Sequence, residues 1–464
     1  MKSPFDLYSH YVTERKEVAP DWAECLSYLK TLDKPSVSQL LEKAEAAGEM
    51  LVQPRCGVGD QEAMLNLLQQ LEQGAHPDIL SLTIDAHTRL LRFEAADKAL
   101  RDNPKHLNGY PLIAHGWQQG RKLNKAVRAP IEVRHGSPDA RLLFGAALAS
   151  GFSSFEGGGI GYNVPYCKDV PFADSLSYWR DIDQFSGDLA DQGIIIDREF
   201  FGTLTAVLMP PSISIAIALL EAALAIQSGV QCLSLAYCQT GNFTQDIAAL
   251  RALRKGIARY LPLHTKAYPV FHQFMGAFPA DHIDANALII YGTITARLGG
   301  ATKIINKTHQ EALGVPSVEA NIAGISLTKA ATSWIIGLLP LDMNAVEEEQ
   351  YWIEREVAEL IEPILGASDM IKAIVLAFAD GRLDVPFSAS IHARSDILPV
   401  RDTKGAIRFQ RSGQLPFSEA VLQRNAQLTN EYKPTWGGEL FHKIRSDILF
   451  FCRDLSLQQS ESGR

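Results

Sequence analysis

Short apolar segments that alternate with helical segments are the feature that most limits how this chain can fold. Eight β-like segments occur, at residues 51–54, 79–84, 131–134, 152–155, 194–196, 232–236, 267–271 and 302–305. Helical patterns separate them, at 61–71, 89–101, 139–149, 212–226 and 244–260. Strands that alternate with helices form a parallel sheet, because each strand needs a crossover to return to the same edge. The spacing and the set of eight favour a (β/α)8 TIM barrel over an open, doubly wound sheet.

The same patterns divide the chain into three parts. Residues 1–50 predict an N-terminal helical segment, with helices at 22–32 and 36–47, and residues 51–340 predict the catalytic barrel. The alternation stops near residue 340, where an acidic helical stretch at 342–361 is followed by a more apolar one at 368–378. We expect residues 341–464 to be a C-terminal extension packed on the barrel and a candidate contact for a partner subunit.

Composition excludes several classes of protein. The chain has 464 residues, 46% of them hydrophobic and 21% charged, and a formal net charge of -9 without a long basic run, which argues against nucleic-acid binding. The apolar stretch 209–225 opens with two prolines and is interrupted by Glu221, so it predicts a buried helix and not a membrane span. The N-terminus lacks the apolar core of a signal peptide, and six cysteines are scattered without paired spacing. These features predict a cytoplasmic protein without a disulfide framework.

Polar side chains lie at or just after the ends of the predicted strands, where (β/α)8 barrels place their active sites. They are Arg55, Thr83, Asp85, Arg134, His135, Glu156, Asp197, Arg198, Glu199, Tyr237, His272, Asn306 and Lys307. Arg55, Arg89 and Arg134 together indicate an anionic ligand with more than one carboxylate or phosphate, because guanidinium groups pair with such anions through two hydrogen bonds. Each arginine taken alone is more often an ordinary surface or ion-pair residue.

A glycine-rich segment follows Glu156 and adds a second polar cluster. Three glycines come directly after this carboxylate, and two phenols, Tyr162 and Tyr166, lie a few residues further on. Glycine allows a backbone to approach a ligand closely, since it has no Cβ. Glu156 is either a strand-end carboxylate paired with an arginine or a base or ammonium anchor that faces the arginines, and the sequence leaves both interpretations open.

Lys307 and Glu311 stand four residues apart, at the start of a helix that we predict after the segment 302–305. Such a pair is commonly a surface ion pair, although it could also bind a ribose or a similar polyol over the barrel mouth. Metal-binding and nucleotide-binding motifs are absent: there is no His-Glu-x-x-His, no zinc-like cysteine spacing and no phosphate-binding loop with lysine. We therefore assign no metal ligands, and a nicotinamide enzyme is disfavoured.

Several separate motifs, in the same order along the chain, resemble the epsilon subunit of glutamate mutase, also called methylaspartate mutase. They are residues 51–57 (LVQPRCG), 83–89 (TIDAHTR), 107–111 (LNGYP), 133–141 (VRHGSPDAR), 155–166 (FEGGGIGYNVPY) and 298–312 (LGGATKIINKTHQEA). The resemblance implies a (β/α)8 barrel that uses adenosylcobalamin. It also implies the radical rearrangement of the carbon skeleton that interconverts L-glutamate and (2S,3S)-3-methylaspartate.

The resemblance also implies roles for individual residues. Arg55, Arg89 and Arg134 would hold the substrate carboxylates, and Glu156 would be the catalytic residue that contacts the substrate amino group. His135, Tyr162 and Tyr166 would complete the substrate site. The residues that would contact the cofactor are Gly57, Asn108, Pro165, Phe278, Lys307, Glu311 and Val315, with Lys307 and Glu311 as the ribose-binding pair.

A missing motif predicts a partner. Cobalamin-binding subunits of this type carry Asp-x-His-x-x-Gly, whose histidine binds cobalt, but the segment that begins Asp85-Ala-His87 ends in Leu90 instead of glycine. We therefore expect a small cobalamin-binding subunit to hold most of the cofactor, in an assembly of two large and two small subunits. We expect His87 to be an ordinary residue of the barrel.

Three alternatives remain at the level of sequence. The chain could be a mutase that acts on a related amino diacid. It could also be a barrel that serves only as a binding or scaffold subunit, although the arginines, Glu156, both tyrosines and the Lys307–Glu311 pair are all retained. A metal-dependent lyase would need a carboxylate triad, which the sequence alone does not place.

Overall fold

The predicted barrel is present in the computed structural model, which describes residues 3–165, 167–202, 207–429 and 438–452. Its eight parallel strands are β1 (Leu51–Pro54), β2 (Leu80–Thr83), β3 (Ile131–Arg134), β4 (Ser154–Glu156), β5 (Asp197–Phe200), β6 (Cys232–Cys238), β7 (Lys266–His272) and β8 (Lys303–Asn306). They pair in the order β1-β8-β7-β6-β5-β4-β3-β2. Backbone hydrogen bonds from Asp78 N to Val52 O (3.0 Å) and from Thr83 N to Cys56 O (2.9 Å) join the two outer strands. The sheet is therefore closed into a cylinder.

Helices surround this cylinder, and further helices precede β1 and follow β8 in the sequence. They are α1 (Pro4–Glu14), α2 (Trp22–Lys30), α3 (Val37–Ala47), α4 (Gln61–Ala75), α5 (Ala86–Arg89), α6 (Phe93–Asp102), α7 (Leu112–His115), α8 (Trp117–Ala126), α9 (Arg141–Ser150), α10 (Phe172–Ala190), α11 (Pro211–Gln227), α12 (Phe243–Tyr260), α13 (His282–Gly299), α14 (Val318–Ala330), α15 (Met343–Leu365), α16 (Met370–Asp380), α17 (Glu419–Thr429) and α18 (Gly438–Ile448). Side-chain caps fix several starts: Asp60 accepts from Ala63 N at the beginning of α4, and Asn242 accepts from Gln245 N at the beginning of α12.

The apolar stretch that opens with two prolines forms α11, and most of its residues are buried. This confirms the predicted buried helix. No helix in the described part of the chain is long and apolar enough to cross a membrane. The last two turns of α11 leave some side chains partly exposed. The carboxylate of Glu221, in the same helix, is buried with the apolar residues around it.

Inside the cylinder, a layer of polar residues replaces the branched apolar residues that usually fill a TIM barrel. Its members point inward from successive strands and are almost completely buried: Gln53, Ser81, Glu132, Ser154, Asp197, Ser234 and Lys303. They bond to one another, as in the contacts of Ser154 Oγ with Glu132 Oε2 (3.0 Å) and Asp197 Oδ2 (2.9 Å). Buried polar groups need such partners, so this layer forms a connected floor beneath the barrel mouth.

The C-terminal extension packs on the barrel. Helix α15 lies against α11 and α12, and an antiparallel hairpin of β9 (Leu398–Arg401) and β10 (Ile407–Arg411) follows α16. The hairpin reaches the loop after β6, where Arg401 Nη2 donates to Thr240 O at 2.7 Å, and the first turn of α12, where Ile407 N donates to Gln245 Oε1 at 2.8 Å. The three-part division of the chain stays a prediction.

Two of the predictions about local structure are wrong. The fifth strand was expected at 194–196, but β5 begins at Asp197, so Asp197, Arg198 and Glu199 lie within the strand and not after it. Alternate residues of a strand face opposite sides, which sends Asp197 and Glu199 into the cylinder and Arg198 towards the helices. The helix expected at Lys307 is also absent: Lys307 and Glu311 lie in a turn-rich segment, and α14 begins at Val318.

Candidate functional site

A cavity of about 440 Å³ opens at the C-terminal ends of the strands, which is the size range of small-molecule sites. Six of the seven predicted substrate-binding residues line it: Arg55, Arg89, Arg134, His135, Glu156 and Tyr162. Thr83, Phe201 and Met275 complete much of the wall. The seventh predicted residue, Tyr166, lies outside the described residues. The structure thus brings together side chains that are spread over more than 100 positions of the sequence.

Strand ends and one short helix position these groups. Arg134 and Glu156 are the last residues of β3 and β4, and Arg55 directly follows β1. Arg89 ends α5, which is capped by Asp85 through hydrogen bonds from His87 N (2.8 Å) and Thr88 N (3.1 Å). Because the C-terminal ends of parallel strands meet at one rim, the side chains converge on the mouth.

Arg134 is the centre of a buried ion cluster. Its Nη1 donates to Glu132 Oε1 at 2.5 Å and to Glu199 Oε1 at 3.0 Å, and its Nη2 donates to Glu156 Oε1. Lys303 Nζ lies 2.6 Å from Glu132 Oε2 and 2.6 Å from Glu199 Oε2. Two cations therefore hold three carboxylates in the base of the cavity, and the cluster fixes where Glu156 points.

The cluster also sets the protonation of its members. Burial alone would raise the pKa of Glu199, but Lys303 and Arg134 outweigh it and hold this pKa well below its ordinary value. His272 Nε2 lies 3.2 Å from Glu199 Oε1, and burial lowers the pKa of His272 to about 3 although Glu199 opposes the change. Glu199 is thus a fixed anion and His272 is a neutral ring near neutral pH.

Glu156 is the member of the cluster that titrates near neutral pH. Burial raises its pKa to about 7, Arg134 opposes this rise, and the negative charges of Glu199 and Glu132 add to it. Tyr162 also hydrogen-bonds the Glu156 carboxylate, and the backbone N–H of His135 donates to its Oε2 at 3.2 Å. A carboxylate with a raised pKa in a cleft is typical of functional sites.

Arg55 and Arg89 differ from Arg134, because neither has a carboxylate partner among the residues that the structure describes. The one recorded hydrogen bond of Arg89 is a long contact of 3.4 Å from Nε to Asp85 O. Burial lowers the pKa of Arg55, and the like charge of Arg134 adds to this effect. Two partly buried guanidinium groups that have no ion-pair partner in the described part of the chain form a site for an anion at one cavity, since a desolvated charge is costly without a partner.

His135 presents a hydrogen-bond donor to this region. Burial holds its pKa well below the ordinary value, and the positive charges of Arg198 and Arg89 contribute. Its Nδ1 accepts the N–H of Ser137 at 3.1 Å, so the neutral ring carries its proton on Nε2. Within the described part of the chain, this Nε2 is a buried atom with no hydrogen-bond partner.

Four of the predicted cofactor residues line a second, smaller cavity of about 170 Å³ that shares Arg55 and Thr83 with the first: Gly57, Asn108, Glu311 and Val315. Lys307 Nζ pairs with Glu311 Oε2 at 2.7 Å, and the predicted role of the two residues in binding a ribose stays a prediction. Asn108 Oδ1 accepts Ala86 N at 2.9 Å. Val315 and its neighbour Leu313 are 59% and 74% exposed, which leaves an apolar rim beside the pair.

The other three predicted cofactor residues, Lys307, Phe278 and Pro165, line neither cavity, although Lys307 is tied to the smaller one through Glu311. Phe278 packs in a small apolar cluster with Val207, Phe274 and Ile289. Pro165 is buried, and its carbonyl oxygen accepts Ala389 N at 3.3 Å. Their assignment as cofactor contacts stays a prediction.

Sequence reasoning did not identify Glu132 and Lys303 as part of the site. The only local signal is that each is a charged residue within a strand of otherwise apolar character, which indicates an inward, paired position.

The structure also brings together three carboxylates whose proximity the sequence did not predict: Glu132, Glu156 and Glu199 surround Arg134. Ligand atoms of Glu156, Glu199 and His272 lie within 4.8 Å of one another, but the guanidinium of Arg134 contacts all three side chains and occupies the central position.

Comparisons with known proteins identify the family of the chain. Residues 33–437 match the family model described as "Methylaspartate mutase E chain (MutE)". The chain is 39% identical over 450 residues to a glutamate mutase epsilon subunit of Haloarcula marismortui, covering 96% of this chain and 91% of the relative. It is 40% identical over 432 residues to the same subunit of Desulfitobacterium hafniense, covering 89% of each chain, and 38% identical over 435 residues to that of Escherichia coli O157:H7, covering 89% and 90%. The chain therefore belongs to the methylaspartate mutase E chain family, whose members are isomerases.

Proposed function

We propose that this chain is the catalytic subunit of a glutamate mutase, which interconverts L-glutamate and (2S,3S)-3-methylaspartate. The observation that carries the proposal is the charge pattern of the main cavity. Arg55 and Arg89 are cations without a carboxylate partner in the described part of the chain, and Glu156 is an anion at the same cavity. L-Glutamate has the complementary charges, with two carboxylates and one ammonium group.

Arginine contacts would hold the two substrate carboxylates. Arg55 and Arg89 are the candidates for paired hydrogen bonds, and Arg134 would contact the substrate while it keeps Glu156 in place. Each charge-assisted hydrogen bond contributes roughly 1.5–3 kcal/mol, so several of them can fix a flexible diacid in one conformation. Fixing the reacting carbons in this way is what the protein contributes to a rearrangement within one molecule.

Glu156 would accept the substrate ammonium group, and the proton on His135 Nε2 would be available to a substrate oxygen. With a pKa near 7, Glu156 is ionised in an increasing fraction of molecules as the pH rises through neutrality. An incoming ammonium group favours the charged form and lowers this raised pKa. Aromatic neighbours of His135, among them Tyr162 and Trp179, limit the access of water to this end of the cavity.

Adenosylcobalamin is the cofactor in this proposal, and it supplies, when bound, the homolytic chemistry that removes a hydrogen atom from an unactivated carbon. The residues fit its nucleoside end: the Lys307–Glu311 pair offers both a donor and an acceptor to a ribose, beside an exposed apolar rim. The smaller cavity adjoins the substrate cavity through Arg55 and Thr83, so a group held there would reach the substrate.

A small subunit would carry the remainder of the cofactor. His87, in the incomplete Asp85-Ala-His87 motif, belongs to the short helix α5 at the barrel mouth, next to Arg89. This position suits a residue of the barrel wall better than a cobalt ligand of a cobalamin domain. An assembly of two large and two small subunits, a cytoplasmic location and a role of the extension in holding the partner are parts of the same proposal.

The test is reconstitution. The purified chain, a small cobalamin-binding subunit of a glutamate mutase, adenosylcobalamin and L-glutamate are combined without oxygen, and the methyl doublet of 3-methylaspartate is followed by proton NMR. We expect a doublet that requires every component. A doublet from another amino diacid but not from glutamate would support the related-substrate alternative, and failure with every diacid would support a scaffold role.

A further inference from the structure

A buried carboxylate outside the substrate cavity holds the glycine-rich loop. Glu221 lies in the middle of α11, is 3% exposed, and interrupts an otherwise apolar helix. Its Oε1 accepts two backbone N–H groups of the loop, those of Ile160 and Gly161, each at 2.8 Å. These amides lie between Glu156 and Tyr162, the two loop-borne groups that reach the substrate cavity.

A buried cation holds the other end of the same loop. Arg198 is completely buried, and its Nη1 and Nη2 donate to Phe155 O (2.5 Å) and Gly157 O (2.7 Å). Its Nε is fixed by Asp183 Oδ1 at 2.8 Å. The carbonyl groups on both sides of Glu156 therefore meet a cation, and the amide groups before Tyr162 meet a carboxyl oxygen of Glu221.

The loop is packed against the core through Ile160, which is completely buried, and a Cβ on Gly159 would meet Leu176 at 3.0 Å. A cavity of about 440 Å³, separate from the substrate cavity, lies behind the loop and is lined by Gly158, Gly159 and Glu221. The carboxylate touches the loop backbone closely, since a Cβ on Gly158 would meet Glu221 Oε1 at 2.3 Å. On the face that borders this cavity, the two hydrogen bonds from Ile160 and Gly161 to Glu221 add a directional restraint to that packing.

We propose that Glu221, together with Arg198, is a positioning residue for the mutase reaction: its two hydrogen bonds to the glycine-rich loop fix the distance between Glu156 and Tyr162 in the substrate cavity. The expected effect on the reaction rate rests on the proposed function, whereas the hydrogen bonds between Glu221 and the loop do not depend on that function. A displacement of about 1 Å at a reacting centre can reduce the rate roughly 100-fold. Loss of the carboxylate therefore affects catalysis from outside the substrate cavity.

Three variants separate this role from a general contribution to folding. Glu221→Leu removes both acceptors but keeps a side chain of similar size in an apolar helix, and Glu221→Gln keeps one carbonyl oxygen for the two amides. Gln227→Leu is the control for a polar-to-apolar change on the same helix and beside the same cavity, at an exposed residue that makes no hydrogen bond to the loop in the described part of the chain. Each variant is assembled with the small subunit and adenosylcobalamin, and kcat, KM for L-glutamate and the unfolding temperature are measured.

We expect Glu221→Leu to reduce kcat/KM roughly 100-fold in protein that is folded at the assay temperature, with Gln227→Leu unchanged. Glu221→Gln should recover most of the activity. A fall in the unfolding temperature of Glu221→Leu with wild-type kcat and KM would overturn the proposal, because that is the result of a purely structural role. So would a Glu221→Gln variant as impaired as Glu221→Leu.

Hydrogen–deuterium exchange of the peptide that contains residues 157–165 gives a readout that does not depend on activity. In the wild-type chain we expect slow exchange of the Ile160 and Gly161 amides, and in Glu221→Leu faster exchange confined to this peptide. Equal exchange in both chains would contradict the contact. If the wild-type enzyme has no activity on glutamate, the proposed function fails while the exchange result still decides whether Glu221 holds the loop.

Discussion

Replacing Glu156 with glutamine should weaken glutamate binding while the barrel stays stable, because burial raises the pKa of Glu156 to about 7 and so already favours its neutral form. The change keeps the shape of the side chain and leaves Arg134 with two anionic partners, Glu132 and Glu199. It removes the negative charge proposed for the substrate ammonium group. A charge-assisted hydrogen bond contributes about 1.5–3 kcal/mol, so the loss corresponds to an increase of about 10- to 150-fold in KM for L-glutamate.

The matched control is the same substitution at Glu132, which belongs to the same ion cluster but does not line the substrate cavity. Glu132 accepts from Lys303, Arg134, Gln53 and Ser154. Neutralising one partner of such a buried network usually costs about 3–5 kcal/mol of folding free energy. Glu132→Gln should therefore lower the unfolding midpoint in denaturant, with a much smaller change in KM than Glu156→Gln.

The assay is steady-state formation of 3-methylaspartate by the assembled enzyme, with unfolding of the free chain followed in parallel. Two results would refute the reasoning. An unchanged KM in Glu156→Gln would mean that this carboxylate does not receive the ammonium group. Equal increases in KM for the two variants would mean that the whole cluster, and not Glu156, determines substrate binding.

Three further predictions follow from the same geometry. Because burial raises the pKa of Glu156 to about 7, kcat/KM for glutamate should increase as the pH rises from about 6 to about 8, and a flat profile would contradict the proposed ammonium contact. The same raised pKa affects stability: as the pH rises from the ordinary pKa of a glutamate side chain to about 7, the free energy of unfolding should decrease. The reason is that Glu156 loses its proton in the unfolded chain at a lower pH than in the folded chain. Arg89→Met should raise KM for glutamate without lowering the unfolding temperature, since no described carboxylate loses its partner, whereas Arg92→Met nearby should change neither. Glu311→Gln should weaken binding of adenosylcobalamin to the assembled enzyme, measured by a visible absorbance titration, and equal affinity would remove Glu311 from the cofactor site.

Much of the barrel could be predicted because its strands are short apolar segments with clear ends. The predicted segments at 51–54 and 131–134 coincide with β1 and β3, and the arginines after them lie at the mouth. Strand β5 was misplaced because its sequence, Asp-Arg-Glu-Phe, has the composition of a loop. Its carboxylates are tolerated inside the barrel because Lys303, Arg134, Ser154 and Ser234 pair with them.

The contacts around the site were harder to foresee, because they join residues that are remote in the sequence. The Lys307–Glu311 spacing suggested a helix, but the ion pair forms within a turn-rich segment that brings the two side chains equally close. Glu221 was informative only as an interruption of an apolar run. A single sequence shows that such a carboxylate needs a partner, but it does not show that the partner is the loop after Glu156, about 60 residues away.

The most direct test of the central claim is to follow one carbon of the substrate. In the proposed rearrangement, C2 of glutamate leaves C3 and joins C4, so C3 becomes the methyl group of 3-methylaspartate. L-Glutamate labelled with 13C at C3 is incubated with the chain, a small cobalamin-binding subunit and adenosylcobalamin, and the product is examined by 13C NMR. The account predicts a labelled methyl signal that requires all three components. A product with the label outside the methyl group, or a labelled methyl signal that forms without this chain, would contradict it.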